Sequence, residues 1–228
     1  MTSGRMQNTT ASTMTQMEKD KDMKTRMNRA IFLDRDGTIN VEMPNYLYKV
    51  EDFRFLPSVI EAMKLLTKTD YKLIVVTSQG GVAKGLYTEK DVHAVNRHMV
   101  GELMRHGVKV HGVYYCPHHP KGTVKEYSII CECRKPGSKL FEEAAMEFGI
   151  DLKKSWVVGN SWKDTEAGAK LGCRTIFVKT GVNWDFISNN EKSKNLLHKA
   201  DYATNSLFEA ASIIKEDENE SSDDSGRC

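Results

Sequence analysis

The sequence predicts an α/β fold in which a central parallel sheet carries helices on both faces. Short runs rich in Ile, Val, Phe and Tyr alternate with segments of helical apolar periodicity. This alternation is typical of βαβ units, whose crossover helices cover both faces of a parallel sheet. The 228 residues, 39% of them hydrophobic, suffice for one medium domain with a core and leave no room for a second large one.

Five strands and four helices follow from this pattern in chain order. The strands are short apolar runs bounded by polar residues or Gly: 30–33, 72–76, 113–115, 156–158 and 175–178. The helices are predicted over 57–69, 89–107, 138–148 and 163–171. In the second helix Thr88 and Asp91 form a capping box at the start, and an apolar stripe follows: Val92, Val95, Met99 and Leu103.

Both ends of the chain differ from its middle in composition. Residues 1–29 hold many Met, Thr, Lys and Asp but few other large apolar side chains, and residues 215–228 hold six acidic and two basic ones. Such segments bury too little apolar surface to offset the entropy of ordering, so we expect a disordered extension and an acidic disordered tail. The remaining residues, 30–214, form the predicted domain.

Charge and hydropathy exclude several classes of protein. The 33 basic and 31 acidic residues give a net charge of +2, without the basic stripe of a dedicated nucleic-acid-binding protein. No apolar run is long enough to span a bilayer, and the polar first 29 residues lack the apolar block of a secretory signal. We therefore expect a cytoplasmic protein that binds neither nucleic acid nor membrane. Since no apolar patch stands out, we expect a monomer.

Polar residues follow the first, second and fourth predicted strands, at the edge where α/β sheets bind ligands. After the first strand, the carboxylates of Asp34 and Asp36 can converge on Mg²⁺, although a solvated turn has the same sequence. After the second, residues 77–81 (Thr-Ser-Gln-Gly-Gly) either offer hydrogen-bond donors to a phosphate or form a polar loop. After the fourth, Asn160 offers an amide oxygen, and Asp164 is expected to hold the loop or approach the metal indirectly.

A segment rich in cysteine and histidine follows the third predicted strand. Cys116 with His118, and Cys131 with Cys133, offer a closed tetrahedral set of ligands for a structural Zn²⁺. His119 is an alternative to His118, and scattered free thiols are the alternative to a metal site.

Two cations, Arg134 and Lys135, come directly after this segment. Arginine presents a planar fork and lysine a point charge, so a loop fixed by zinc can hold both against a phosphorylated ligand. A solvated basic pair is the alternative interpretation.

Five motifs in this order resemble those of the haloacid dehalogenase (HAD) superfamily of aspartyl-phosphate phosphatases. They are FLDRDGTIN, VVTSQGGVAKG, YYCPHHP, CECRKP and VVGNSWKD, and the similarity runs from about residue 30 to residue 214. It is greatest to the zinc-loop branch, which includes heptose bisphosphate phosphatases and histidinol-phosphatases. Within that branch the long polar spacer of the loop is similar to the heptose enzymes. The resemblance implies a Rossmann-like HAD fold with a zinc-stapled loop and no large cap domain.

The resemblance also implies catalytic roles. Asp34 would be the nucleophile that forms an aspartyl-phosphate, and Asp36 would protonate the leaving oxygen and then activate water. Thr77 and Lys135 would hold the transferring phosphoryl group. Substrate contacts are implied for five residues: Ser78, Gln79, Gly80, Arg134 and Lys135.

Two metal cofactors are implied in the same way. Mg²⁺ would be held by the side chains of Asp34 and Asn160 and the backbone carbonyl of Asp36, and Zn²⁺ by Cys116, His118, Cys131 and Cys133. The family normally has Asp where this chain has Asn160, so we expect weakened Mg²⁺ binding rather than its loss. Ser78 in place of Asn, and residues 137–139 in place of a Pro-Gly-containing segment, bear on specificity.

Three functions are open at this point. The leading one is Mg²⁺-dependent hydrolysis of a phosphorylated sugar, the 7-phosphate of D-glycero-D-manno-heptose 1,7-bisphosphate. The second keeps this chemistry and takes histidinol phosphate or another small phosphomonoester. The third is a catalytically weak relative that binds phosphosugars; Asn160 and the two tails motivate it, and the presence of both Asp34 and Asp36 argues against it.

Overall fold

A parallel sheet forms the centre of the protein in the computed structural model, which describes residues 27–181 and 200–224. Its six strands lie in the order β3-β2-β1-β4-β5-β6. They are β1 Arg29–Leu33, β2 Tyr71–Ser78, β3 Gly112–Cys116, β4 Trp156–Gly159, β5 Arg174–Val178 and β6 Tyr202–Thr204. The five predicted strands are confirmed. Strand β6 was not predicted, because its three residues contain no apolar run.

Five α-helices connect or follow these strands in the described part of the chain. They are α1 Val59–Leu66, α2 Glu89–Arg105, α3 Lys139–Phe148, α4 Trp162–Lys170 and α5 Leu207–Asp224. The first four confirm predictions, and α2 begins at the predicted capping box of Thr88 and Asp91. Short 3₁₀ helices cover Val50–Asp52 and Leu152–Lys154. None of the described helices is long and apolar enough to cross a membrane.

The helices bury the two faces of the sheet separately. In β1, Ile31 and Leu33 pack with α1, α2 and α5, while Ala30 and Phe32 pack with α3 and α4 on the opposite face. Successive side chains of a strand point to opposite faces, so a strand covered on both sides is apolar throughout. This explains why β1 is fully buried from Ala30 to Leu33 and lies at the centre.

The strand order reverses direction between β1 and β4, and the functional residues gather there. The chain lays down β2 and β3 on one side of β1 and then β4, β5 and β6 on the other. Leu33 pairs with Val158, and the amide of Asp34 donates to the carbonyl of Val158 at 2.9 Å. In open α/β sheets the crevice at such a reversal is the usual ligand site. Asp34 and Asn160, which follow these two strands, therefore stand at its opening.

The flap, defined here as residues 41–54, leaves this edge between β1 and α1. Its ends are joined by the amide of Val41, which donates to the carbonyl of Arg54 at 2.9 Å. The described connection between β1 and β2 thus consists of the flap and α1, with no cap domain.

The ends of the domain differ from the prediction. Strand β1 begins at Arg29, inside the predicted extension, whereas residues 1–26 lie outside the described residues. The tail predicted over 215–228 is wrong in its first ten residues, because α5 continues through Asp224. Glu218 accepts from Arg29 at 3.0 Å and from Lys215 at 3.0 Å, and Asp217 pairs with Arg174. Asp217 and Glu218 are thus partnered by cations of the sheet and of α5 rather than left to solvent.

Candidate active site

A buried lysine joins two carboxylates at the end of β1. The ammonium Nζ of Lys135 lies 2.6 Å from Asp34 Oδ1, 2.6 Å from Asp164 Oδ1 and 2.8 Å from the carbonyl oxygen of Val76. The Lys135 side chain is only 5% exposed. A buried cation with three oxygen partners in contact is held in one position, which suits a group that neutralises charge during a reaction.

Burial controls the protonation of this cluster. Burial, together with the negative charge of Asp164, raises the pKa of Asp34 to about 7 against the opposing effect of Lys135. Burial lowers the pKa of Lys135, but the two carboxylates outweigh it and the net pKa lies above the ordinary value. Lys135 therefore stays charged, while Asp34 exchanges its proton near neutral pH.

The neighbouring carboxylate, Asp36, has a different environment. Its oxygens accept from Arg35 Nη2 at 2.9 Å, from Asn40 Nδ2 at 3.0 Å and from Gln79 Nε2 at 2.8 Å. Burial alone would raise the pKa of Asp36, but the Arg35 guanidinium and these hydrogen bonds lower it below its ordinary value. The two aspartates, two positions apart in sequence, thus have pKa values pushed in opposite directions, as is typical of an acid–base pair with separate roles.

Gln79 lies beneath the site rather than on its wall. It is 2% exposed, donates to Asp36 and to Thr77 Oγ1 at 2.8 Å each, and accepts from the Tyr87 hydroxyl at 2.8 Å. The Tyr87 ring in turn stacks on Tyr48 of the flap at 5.5 Å between centroids. Gln79 therefore connects the flap to Asp36, a support that its predicted substrate contact did not include.

A cavity of about 300 Å³ opens above these groups. Seven predicted site residues line it: Asp34, Asp36, Thr77, Ser78, Arg134, Lys135 and Asn160. Gln79 and Gly80 are not among the lining residues, and a Cβ added to Gly80 would lie 2.8 Å from Arg134. Gly80 thus leaves room for the guanidinium.

The cysteine and histidine residues after β3 converge as predicted. The possible ligand atoms of Cys116, His118, Cys131 and Cys133 all lie within 4.8 Å of one another. Cys133 Sγ is 3.2 Å from the sulfurs of Cys116 and Cys131 and 3.2 Å from His118 Nδ1. His119 is engaged elsewhere, because its Nδ1 accepts from the amide of Lys121 at 3.1 Å. Three sulfurs and one imidazole suit a tetrahedral structural metal site, so the metal-ligating choice falls on His118.

Comparisons with known proteins agree with this geometry. The profile of the HAD-hydrolase-like family matches residues 132–210. The D-glycero-β-D-manno-heptose-1,7-bisphosphate 7-phosphatase of Escherichia coli O6:H1 is 38% identical over 187 residues, which are 82% of this chain and 94% of that enzyme. This chain belongs to the HAD phosphatases.

Two further relatives of this HAD phosphatase extend the comparison. A Photorhabdus laumondii enzyme named for the α anomer of the heptose is 36% identical over 188 residues, 82% of this chain and 97% of the relative. The crystal structure of D,D-heptose 1,7-bisphosphate phosphatase from B. bronchiseptica, complexed with magnesium and phosphate, matches this chain with a TM-score of 0.71 and 26% identity. The match covers 83% of this chain and 99% of that one.

The oxygen atoms of this HAD phosphatase fit a divalent cation beside Asp34. Asn160 is 2% exposed, and its Nδ2 donates to Glu42 Oε2 at 3.2 Å and to the carbonyl of Thr180 at 3.3 Å. Its Oδ1 accepts no hydrogen bond from the described residues, and neither does the backbone carbonyl of Asp36. Carboxylate, amide and backbone oxygens are the ligands that Mg²⁺ takes in proteins, so the donor set is suitable.

Sequence reasoning missed several members of the site of this HAD phosphatase. Glu42, Arg35 and Tyr87 carry no pattern of their own, since each acts through a partner distant in sequence or hidden in the fold. Asp164 was expected near the loop, and its Oδ2 does accept from the amide of Ser161 at 3.0 Å. Its second role, the ion pair with Lys135, had no local signal.

Proposed function

We propose that this phosphatase removes the 7-phosphate of D-glycero-D-manno-heptose 1,7-bisphosphate through an aspartyl-phosphate on Asp34. The observation that carries the proposal is the contact of 2.6 Å between Lys135 Nζ and Asp34 at the floor of the cavity. It supports a nucleophile with a cation fixed where phosphoryl charge develops. The substrate is taken from relatives of that name, 38% identical over 82% of this chain.

In the first half-reaction, an Asp34 oxygen attacks phosphorus and the bond from phosphorus to the sugar oxygen breaks. Asp36 gives its proton to that oxygen, and the sugar leaves as an alcohol. The pKa of Asp36 is low in the free protein. An anionic substrate beside this carboxyl group raises its pKa toward the proton-carrying form.

In the second half-reaction, water hydrolyses the aspartyl-phosphate. Asp36, now a carboxylate, takes the proton from the attacking water, and phosphate leaves from Asp34. Lys135 and Thr77 bind the phosphoryl oxygens in both steps. Lys135 is charged throughout, because Asp34 and Asp164 hold its pKa high. By giving its proton to the leaving sugar, Asp36 returns to the carboxylate form that this step needs.

Mg²⁺ is proposed as the catalytic cofactor, held by Asp34, the carbonyl of Asp36 and Asn160 Oδ1. When bound, it offsets negative charge on the phosphoryl oxygens. Zn²⁺ is proposed as the structural cofactor, held by the cluster of Cys116, His118, Cys131 and Cys133. Its role is to fix the loop that delivers Arg134 and Lys135 to the cavity.

The second phosphate of the substrate is assigned to the cations at the cavity mouth. Arg134 and Lys163 both line the cavity, beyond the Asp34 floor. Burial and the proximity of Arg134 lower the pKa of Lys163. A second phosphate between them would relieve this repulsion of like charges. The hydroxyl of Ser78 is buried without a hydrogen-bond partner in the described structure, which suits a group that a ligand completes.

The test is phosphate release from the heptose 1,7-bisphosphate, titrated with Mg²⁺, with histidinol phosphate in parallel and the Asp34→Asn protein as control. We expect a higher kcat/KM for the heptose than for histidinol phosphate. A preference for histidinol phosphate would overturn the substrate assignment. Binding of both without turnover at saturating Mg²⁺ would identify a phosphosugar-binding relative instead.

We also propose that the enzyme works as a cytoplasmic monomer. The sequence shows no marked apolar patch for a second subunit to cover. The three thiols of the cluster remain unpaired at 3.2 to 3.6 Å, which suits a reducing compartment. Light scattering of the purified protein tests the monomer, and a dimer would overturn it.

A further inference from the structure

The surroundings of Asn160 determine which way its side-chain amide faces. The two neighbours of Nδ2, Glu42 Oε2 at 3.2 Å and the Thr180 carbonyl at 3.3 Å, are both hydrogen-bond acceptors. An amide oxygen turned toward them would face two acceptors with no proton between, whereas the amide nitrogen satisfies both. The oxygen Oδ1 is therefore directed away from Glu42.

Backbone atoms hold this pair in place from two sides. A Cβ added to Gly37 would lie 2.1 Å from Asn160 Nδ2 and 3.1 Å from Glu42 Oε2, and one added to Gly181 would lie 2.4 and 2.7 Å from the same atoms. Both glycines have φ of +80°, which other residues rarely adopt. The Thr180 hydroxyl donates to the carbonyl of Gly37 at 2.5 Å and joins the two segments. The contact of Glu42 with Asn160 is thus built into close-packed backbone.

The arrangement leaves Asn160 with one oxygen and no charge toward the cavity. An amide oxygen is a weaker ligand for a hard cation than a carboxylate, because it brings no negative charge. Glu42 lines the same cavity and carries that charge next to the amide. Residues that hydrogen-bond to metal ligands commonly change metal affinity by about 10- to 100-fold.

We propose that Glu42 is a positioning residue for the cation site: it turns the oxygen of Asn160 toward Asp34 and supplies nearby the negative charge that Asn160 lacks. This inference rests on the proposed function, since it places Mg²⁺ beside Asp34. It explains how the site can hold a cation although one of its proposed ligands is an uncharged amide.

The test measures Mg²⁺ affinity by titration calorimetry of the full chain without substrate, with Mn²⁺ electron paramagnetic resonance as a second readout. We expect Glu42→Ala to weaken binding by about 10-fold or more. Glu42→Gln should have a smaller effect, because its amide oxygen still accepts from Asn160. The control is Glu51→Ala, an exposed glutamate of the same flap, which should leave the affinity unchanged.

The Asn160→Asp background separates orientation from general charge. A carboxylate at position 160 has no donor for Glu42 to orient and carries its own charge, so Glu42→Ala should weaken Mg²⁺ binding much less there than in the natural protein. Equal weakening in both backgrounds, or no effect in the natural one, would overturn the inference. Thermal melting of each variant excludes unfolding as the cause.

Failure of the proposed function gives a different result. If Glu42 controls Mg²⁺ affinity as described but the heptose bisphosphate is not hydrolysed, the inference stands and the substrate assignment falls. If the natural protein binds no Mg²⁺ at all, both fall.

Discussion

The strand-edge cluster of Asp34, Lys135 and Asp164 and the Cys/His cluster after β3 are held together by different means. In the first, one ammonium group lies 2.6 Å from each of two carboxylates, so attraction between the protein's own charges holds the geometry. In the second, three sulfurs and an imidazole nitrogen meet at 3.2 to 3.7 Å, and these four groups include no permanent cation. The protein's own charges hold the first site together, whereas we expect a metal ion to hold the second.

Lys135 connects the two regions. It lies two residues after Cys133, the last member of the Cys/His cluster, and its ammonium group ends between the carboxylates of the strand-edge cluster. Chemistry at Asp34 therefore depends on a cation that the other region delivers. We therefore expect substitutions in the strand-edge cluster to slow the reaction directly. Substitutions in the Cys/His cluster should slow it by displacing Lys135.

The largest effect is expected at the nucleophile. Asp34→Asn removes the oxygen that attacks phosphorus, so kcat should fall by about 10⁴-fold or more. The fold should persist, because Lys135 keeps its contact with Asp164 at 2.6 Å. Phosphate release measures kcat, and circular dichroism measures whether the fold persists. Retained activity would disprove the aspartyl-phosphate mechanism.

The same variant, Asp34→Asn, also tests whether the pKa of Asp34 is raised. The pKa of Asp34 is raised to about 7, above its unfolded value of about 4, so the folded protein holds this proton more tightly. That stabilisation is complete below the unfolded pKa and is lost as pH rises through about 7. As pH rises from about 5 to about 8 without added magnesium, the melting temperature of Asp34→Asn should fall less than that of the natural protein. An identical loss in both proteins would contradict the raised pKa.

Removal of Lys135, the cation that connects the two regions, should have the next largest effect, a loss of stability. Lys135→Met leaves the carboxylates of Asp34 and Asp164 buried without their counterion, which typically destabilises a protein by about 3–5 kcal/mol. Urea unfolding measures the change. Lys121→Met, at an exposed lysine of the zinc loop, is the matched control and should change the free energy of unfolding little. An equal change for both would show that the buried pairing contributes nothing.

A substitution in the Cys/His cluster should reduce activity less than Asp34→Asn does. Cys131→Ser removes one of four ligands, so zinc should be lost to a chelator and kcat/KM should fall by about 10- to 100-fold as Lys135 loses its position. Cys173→Ser alters a buried cysteine outside the cluster and should keep the zinc. If the zinc-free variant keeps full activity, delivery of Lys135 does not depend on the metal.

The smallest effect on activity is expected at Tyr87, whose hydroxyl donates to Gln79 beneath the active site. Tyr87→Phe removes the hydroxyl that donates to Gln79, a hydrogen bond worth about 1 kcal/mol, and so lowers kcat/KM several-fold by loosening Asp36. Tyr48→Phe is the control, since its hydroxyl makes no hydrogen bond within the described part of the chain. Equal effects of the two variants would assign the loss to ring packing instead.

The sequence could predict the features that local patterns of residues encode. Alternating apolar runs predicted five strands and four helices, and the spacing of Cys116 to Cys133 predicted a set of ligands that the structure brings together. Glu42 and the end of α5 could not be predicted this way. The bond between Arg29 and Glu218 spans 189 residues, and that between Asn160 and Glu42 spans 118. Such pairings depend on the finished fold and leave no periodic signal.

The central position of β1 has a consequence for how the protein is made. This strand leaves the ribosome first, yet its neighbour β4 follows far behind: the amide of Ala30 donates to the hydroxyl of Ser155, 125 residues later. At about 5–20 residues per second, an apolar strand waits on the order of ten seconds for its second partner. During synthesis this buried central strand thus lacks one of its two neighbours until β4 emerges, and the catalytic edge is completed only after about two-thirds of the chain has emerged.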